Sequence, residues 1–204
     1  MKSSFGNIHA DAWEVSFDYP YVVYHVLDLE DSNLYLLDLS TNTTLIIDQA
    51  NWGKVSGDYV VYVKEKKAHL YRISTEENTI IKETEKTSIS IDIVSNKCLI
   101  LVTEDKGQDA VTELYIYQIG TGELTKAGKY DDWIIDHDFD GRYLFWDEGD
   151  YYSDIKVMDT DTITTKTMAT EQWIGSLVTG TFSAEDKTVV WASNFEIHMG
   201  EVIE

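Results

Sequence analysis

The chain has 204 residues, with 37 Asp and Glu against 16 Lys and Arg, and a formal net charge of −21. A surface that negative repels phosphate backbones and anionic lipid, which excludes nucleic acid and membrane partners from the expected functions, and no run approaches the ~18 apolar residues of a membrane span. Its one cysteine, Cys98, excludes an internal disulfide and a Cys-based zinc site.

The opening residues, Met1-Lys2-Ser3-Ser4, have no apolar run behind them, so no signal peptide is expected and the chain is either cytoplasmic or a mature exported domain. Its acids are spread along the chain rather than gathered into a tail, which favours solubility and a monomer, with a cationic partner or metal ions second. A single proline and 13 tyrosines among many Val and Ile favour strands over linkers. Cys98 opens the apolar run Cys-Leu-Ile-Leu-Val and reads as a small buried hydrophobe.

Taken from the N-terminus, one unit recurs. An apolar strand appears as Tyr21-Val-Val-Tyr24, Tyr59-Val-Val-Tyr62, Cys98-Leu-Ile-Leu101, Tyr143-Leu-Phe-Trp146 and Thr188-Val-Val-Trp191, at intervals of roughly 40 to 45 residues, the length of a four-stranded propeller blade. A second strand keeps step at Leu34–Asp38, Leu70–Ser74, Leu114–Gln118, Ile155–Asp159 and Phe195–Met199. The first set is apolar almost without interruption, as inner strands covered on both faces require, while the second alternates. Turns at Asp18-Tyr-Pro20, Ser56-Gly-Asp58, Ser95-Asn-Lys97, Asp140-Gly-Arg142 and Glu185-Asp-Lys187 precede the apolar strands and fit hairpins.

In three units a closing strand runs into a tryptophan, Thr44–Asp48 into Trp52, Leu124–Lys126 into Trp133, and Ile163–Met168 into Trp173, while the third unit begins with Thr87 or Ser88 instead. The N-terminus has the same cadence, with Ser4-Phe-Gly-Asn-Ile leading to Trp13. The expected fold is therefore all-β, a five-bladed β-propeller of four-stranded antiparallel blades in one domain, residues 1–204. The blades cover about 13–49, 52–84, 87–128, 133–169 and 173–204, the last completed by residues 3–9, so that the N-terminal strand closes the ring and no blade face is left in water.

The fourth unit, Asp140-Gly-Arg-Tyr-Leu-Phe-Trp followed by Asp154-Ile-Lys-Val-Met-Asp159, resembles the TolB-like repeat, a relative of WD40 propellers. Units one and two are similar to it in Val22-Val-Tyr with Asn33-Leu-Tyr-Leu-Leu-Asp38 and in Val60-Val-Tyr with Leu70-Tyr-Arg-Ile. The Ser-Pro-Asp-Gly turn of that repeat is absent, Phe139 standing where its Pro would be. The resemblance implies a binding module; members are commonly exported and six-bladed, so five blades depart from the pattern. A shared fold does not by itself transfer function.

Trp13, Trp52, Trp133 and Trp173 recur at the junction between one blade's last strand and the next blade's first. They either wedge adjacent blades together or line a channel mouth as a platform for a ligand such as a sugar, with acceptors at Asp11, Asp131, Asp132 and Glu171. Asp136, Asp138, Asp140, Gly141 and Asp147 match the spacing of a calcium loop, in which carboxylates on alternate residues converge on one cation. Leu144 occupies the ninth position, where an oxygen is usual, and an ordinary acidic hairpin gives the same spacing. Calcium is the one cofactor the pattern admits.

The histidines His9, His25, His69, His137 and His198 form no metalloprotease pair, and no nucleophile elbow, phosphate loop or dinucleotide fingerprint is present. Glu14, Asp92 and Asp136 fall near the inner strands, where propeller glycosidases carry carboxylates. The expected function is a non-catalytic module recognising a protein or peptide partner through one propeller face. The alternatives are small-ligand or glycan binding at a Trp-lined mouth, and a glycosidase-like hydrolase.

Overall fold

The structure is a computed structural model that describes residues 12–27, 32–50, 52–107, 109–131, 134–149, 152–173, 181–183, 188–193 and 196–201. Every regular element among them is a strand. The first sheet holds β1 (Ala12–Asp18), β2 (Tyr21–Leu27), β3 (Ser32–Asp38) and β4 (Thr43–Asp48), and the second β5 (Gly53–Ser56), β6 (Tyr59–Lys64), β7 (Lys67–Arg72) and β8 (Glu77–Glu83). The third holds β9 (Ser88–Val94), β10 (Lys97–Asp105), β11 (Ala110–Gln118) and β12 (Glu123–Tyr130). The fourth holds β13 (Ile134–Phe139), β14 (Tyr143–Gly149), β15 (Tyr152–Asp159) and β16 (Thr164–Trp173), and the last β17 (Thr181–Ser183), β18 (Thr188–Ser193) and β19 (Glu196–Glu201). Strands follow chain order within each sheet, giving, among the described residues, four four-stranded sheets and one of three strands, paired antiparallel.

The chain divides into two compact units, one of residues 1–85 with 89–100 and one of residues 86–88 with 101–204, the boundary falling between Ile100 and Leu101 within β10. In the first unit the apolar runs read from the sequence become strands buried on both faces. Val23, Leu34 and Leu36 of the first sheet share a core with Ala50, Val55, Val60, Tyr62 and Tyr71, at or after the second sheet's entry. In the second unit Tyr143, Phe145, Ile155 and Val157 form a core against Met168 and Ala169.

Polar side chains lock sheet to sheet in the first unit, where β5 packs beside β1 and β2. Ser16 Oγ accepts the Val55 N–H at 3.1 Å, Asp18 Oδ2 accepts the Gly57 N–H at 2.7 Å, and Ser56 Oγ accepts the Ser95 N–H at 2.9 Å. A first strand has no ladder partner on its free side, and these side chains take up amides that a sheet edge would leave exposed. Lys54 adds an ion pair to the buried Asp92 at 2.5 Å.

The hairpins joining third to fourth strands share a backbone device. Asn42 (φ 56°), Glu76 (φ 55°), Gly122 (φ 71°) and Ile163 (φ 54°) each end the turn in the left-handed region, which gives the strands the twist they need to pair again. Only Gly122 does so without a Cβ penalty; the β-branched Ile163 carries strain on the order of 1–2 kcal/mol.

Candidate functional site

In the first unit, β1 carries an apolar stripe in solvent: Val15 is 54% exposed, Phe17 62% and, in the following turn, Tyr19 73%. The contrast lies with matching positions elsewhere. Phe17 pairs with Val22, the second residue of its neighbouring strand, as Val55 pairs with Val60 and Phe139 with Leu144. Val55 and Phe139 are each 5% exposed. The pleat directs all three side chains to corresponding faces, and only in the first sheet is that side chain left in water. Exposed Glu14, at a bulge with φ 47°, and half-buried Asp18 flank the stripe with negative charge.

The stripe has no signature in the sequence, because Val15-Ser-Phe-Asp-Tyr19 has the same alternation as a buried first strand. The bulge between Trp13 and Ser16 does not mark it either, since the same bulge lies between Ile134 and His137 ahead of the buried Phe139.

Of the four tryptophans singled out, Trp52 immediately precedes β5 and is half-buried. Trp13 lies in β1 opposite His25, and Trp173 ends β16 opposite Tyr152, but their side chains, like all of Trp133, lie outside the described residues. Asp11, Asp132 and the Glu171 side chain also lie outside them, and Asp131 is exposed, 3.8 Å from Lys129.

The calcium-loop residues are distributed through one hairpin. Asp140 Oδ1 accepts the N–H groups of Arg142 at 2.8 Å and Tyr143 at 2.6 Å, so this oxygen shapes the turn, while its buried Oδ2 has no hydrogen-bond partner. Asp138 is half-buried opposite Phe145, Asp147 is buried opposite Ile155, and the side chain of Asp136 lies outside the described residues. Among the described residues, no group of three or more His, Cys, Asp and Glu is placed to hold a metal ion.

The carboxylates weighed for hydrolysis have other surroundings. Asp92 binds Lys54 and the Ile93 N–H, and Glu14 is exposed on the bulge. His25 is buried with Nδ1 unpartnered, and His69 stacks on Tyr62 at 4.8 Å. Cys98 is fully buried, and burial pushes its thiol up to about 12, so it is not a nucleophile near neutral pH.

The strongest electrostatic feature in the second unit is Glu113 on β11. Lys126 lies 2.8 Å away and Lys86 3.0 Å away, and the Tyr115 hydroxyl donates at 2.9 Å. The hydrogen bond from Lys126 is the main cause that holds its carboxyl down at about 2 against an ordinary 4.5, with Lys86 and Tyr115 adding to it and burial opposing. Because the folded value is depressed, the stabilisation is complete above the unfolded value and is lost as pH falls toward about 2. Glu113→Gln is expected to cost about 1 kcal/mol at pH 7, discounted for the exposed lysines, with the gap to wild type shrinking between about pH 5 and pH 2. Denaturant unfolding across that range checks it.

No family model matches the chain, and no curated protein matches it. Solved structures do. TolB from Acinetobacter baumannii aligns with TM-score 0.60 at 17% identity, covering 90% of this chain and 49% of TolB. The β-propeller domain of the Trilobed protease from Pyrococcus furiosus aligns with TM-score 0.65 at 12% identity over 97% of this chain and 71% of that domain. An oligogalacturonate lyase from Vibrio parahaemolyticus aligns with TM-score 0.61 at 15% identity over 92% of this chain and 61% of the lyase. The fold is thus of the TolB-like β-propeller type, and it is carried by enzymes as well as by TolB. The chain spans about half the length of the TolB it matches.

Proposed function

We propose that the chain is a non-catalytic binding module that recognises a protein or peptide partner through the exposed stripe of its first sheet. The observation that carries this is Phe17, 62% exposed where Val55 and Phe139 at matching positions are 5% exposed. An aromatic and a β-branched residue presented on one face, with a second aromatic in the adjoining turn and acids beside them, suit an extended peptide bearing apolar and basic residues. The net charge of −21 favours a cationic partner and speeds its encounter.

The test is a displayed peptide library and a glycan array, each probed with wild type, Phe17→Ser and Trp52→Ala. Selected peptides that bind wild type and Trp52→Ala but not Phe17→Ser are expected. Glycan binding lost only with Trp52→Ala would replace this reading with the Trp13, Trp52, Trp133 and Trp173 platform. Hydrolysis of aryl glycosides by wild type would replace both with a hydrolase. Calcium at Asp136, Asp138, Asp140 and Asp147 belongs to the proposal only if calorimetry at millimolar calcium gives a binding signal; none is expected, since Asp140 Oδ1 already serves the turn amides.

For the whole chain we propose one five-bladed domain whose last blade is completed by residues 3–9, the β1 stripe with Phe17 staying open to the partner. The supports are the shared cadence of the N-terminus and the fourth strands, and the three strands described in the last sheet. Removing residues 1–9 is expected to lower the thermal midpoint by several degrees or to cause association, because a sheet edge and apolar face lose their cover. A monomer with an unchanged midpoint contradicts closure.

A further inference from the structure

The last strand of a sheet carries one row of backbone N–H and C=O groups that no neighbouring strand takes up, and proteins protect such an edge with charged side chains. Among the described residues, three of the fourth strands do so. β8 carries Glu77, Lys82 and Glu83, β12 carries Glu123, Lys126 and Lys129, and β16 carries Lys166 and Glu171. β4 does not. It reads Thr43-Thr-Leu-Ile-Ile-Asp48, ends the sheet order β1-β2-β3-β4 and, among the described residues, pairs with β3 alone. Thr43 to Ile46 are exposed, Leu45 at 40% and Ile46 at 55%.

Successive residues of a strand point to opposite faces, so Leu45 and Ile46 place an apolar side chain on either side of this edge. Ile80 in the middle of β8 is exposed too, at 51%, but Glu77 and Glu83 bracket it. The one charge in β4, Asp48, accepts the Tyr62 hydroxyl at 2.9 Å and the Lys64 ammonium at 2.6 Å. Asp38, which pairs with Thr43 at the other end, accepts the Ser40 N–H at 2.8 Å and the Ser40 hydroxyl at 2.6 Å on one oxygen. Both acids bordering the edge are thus engaged within the chain, and the stretch from Leu39 to Ile47 carries no charge.

We infer that β4 is a strand-pairing surface whose occupant is β4 of a second copy of this chain, the two strands running antiparallel about a two-fold axis. This surface lies at the opposite edge of the sheet from the β1 stripe. Charge decides between the occupants. A basic peptide, the partner that a net charge of −21 attracts elsewhere, meets no carboxylate along β4 that is not already engaged. An uncharged strand rich in β-branched residues pairs best with another of its kind, and the second copy supplies one. With the axis near Ile46, Asp48 of each copy comes beside Thr43 and Thr44 of the other, so no like charges stand opposite. An axis at Ile80 of β8 would instead set Glu77 against Glu83. The two-fold pair covers both edges and leaves none to extend. Its contact is smaller than the ~1,200 Å² of a stable dimer, and the like net charges oppose it. The chain is therefore monomeric at micromolar concentration and pairs when concentrated and in salt.

The test is sedimentation equilibrium of the full chain at rising concentration, in about 0.1 M and about 1 M salt, which shortens the Debye length from ~10 to ~3 Å. Wild type, Ile46→Lys, Ile46→Thr, Ile80→Lys and Phe17→Ser are compared, with thermal unfolding on the same samples. Wild type is expected to dimerise about tenfold or more tightly in the higher salt, and hydrogen exchange of the β4 amides is expected to slow as concentration rises. Ile46→Lys sets like charges opposite across the axis and is expected to weaken pairing by about tenfold or more. Ile46→Thr keeps the β-branch and adds no charge, so it retains most of the pairing, while Ile80→Lys and Phe17→Ser leave it unchanged. A folded chain that stays monomeric at millimolar concentration in the higher salt overturns the inference. A dimer lost with Phe17→Ser and kept with Ile46→Lys overturns it in favour of the β1 stripe. A monomeric chain that binds a display-selected peptide, and loses it only with Ile46→Lys, overturns it in favour of a foreign strand on β4.

Discussion

Trp146→Ala is expected to lower stability by about 3–5 kcal/mol, the loss that follows when a large, fully buried ring leaves a cavity its neighbours cannot fill. Trp146 is 0% exposed on β14, beneath the edge contact with Tyr130, and its indole Nε1 is buried without a hydrogen-bond partner. That last fact separates packing from polar bonding. Trp146→Phe keeps much of the ring and removes an N–H that makes no bond, so it is expected to cost about 1–2 kcal/mol. Denaturant unfolding of both variants provides the check. Equal losses for Phe and Ala would mean that the indole nitrogen, rather than the ring, stabilises the fourth sheet.

The second large effect is expected at Asp48. Its two oxygens receive the Tyr62 hydroxyl at 2.9 Å and the Lys64 ammonium at 2.6 Å, and Asn78 donates in turn to the Tyr62 hydroxyl at 2.5 Å. Tyr62 is 0% exposed, and burial, helped by the adjacent carboxylate, drives its hydroxyl well above the ordinary tyrosine range. Asp48→Ala leaves that hydroxyl without its acceptor and Lys64 without its counter-ion, and is expected to cost about 2–3 kcal/mol. Asp48→Asn keeps an acceptor for Tyr62 and is expected to cost roughly half as much. Chemical denaturation at pH 7 measures both, and a loss below about 0.5 kcal/mol for Asp48→Ala would show that the junction is not held by this network.

The parts of the fold that could be read from residues alone are those where one strand's pattern reports its own burial. Tyr21-Val-Val-Tyr24 and Tyr59-Val-Val-Tyr62 are apolar on both faces because Val22, Val23, Val60 and Val61 are all nearly solvent-free, and the Asp-Gly turn before Tyr143 forms a hairpin as its φ of 98° at Gly141 requires. What could not be read depends on a neighbour. Phe17 and Phe139 have the same residue type at the same place in the hairpin, and only the cover above them differs. Asp48 looks like an ordinary strand-ending acid until the next sheet brings Tyr62 to it. The spacing of Asp140 suits a cation ligand, whereas one of its oxygens accepts two turn amides, a use that sequence spacing cannot distinguish. Glu113, Lys86 and Lys126 come from separate strands and loops, so their network has no local signature.

The exposed stripe on β1 is the centre of this account, and one titration tests it most directly. A peptide selected on wild type is titrated calorimetrically into wild type and into Phe17→Ser, with thermal unfolding measured on the same samples. Because Phe17 is 62% exposed, the substitution is expected to change stability by less than about 0.5 kcal/mol. Binding is predicted to weaken at least tenfold, the loss of about 1.4 kcal/mol or more expected when an aromatic anchor is truncated. Equal affinity for the two proteins, with both fully folded, would contradict recognition through the first sheet.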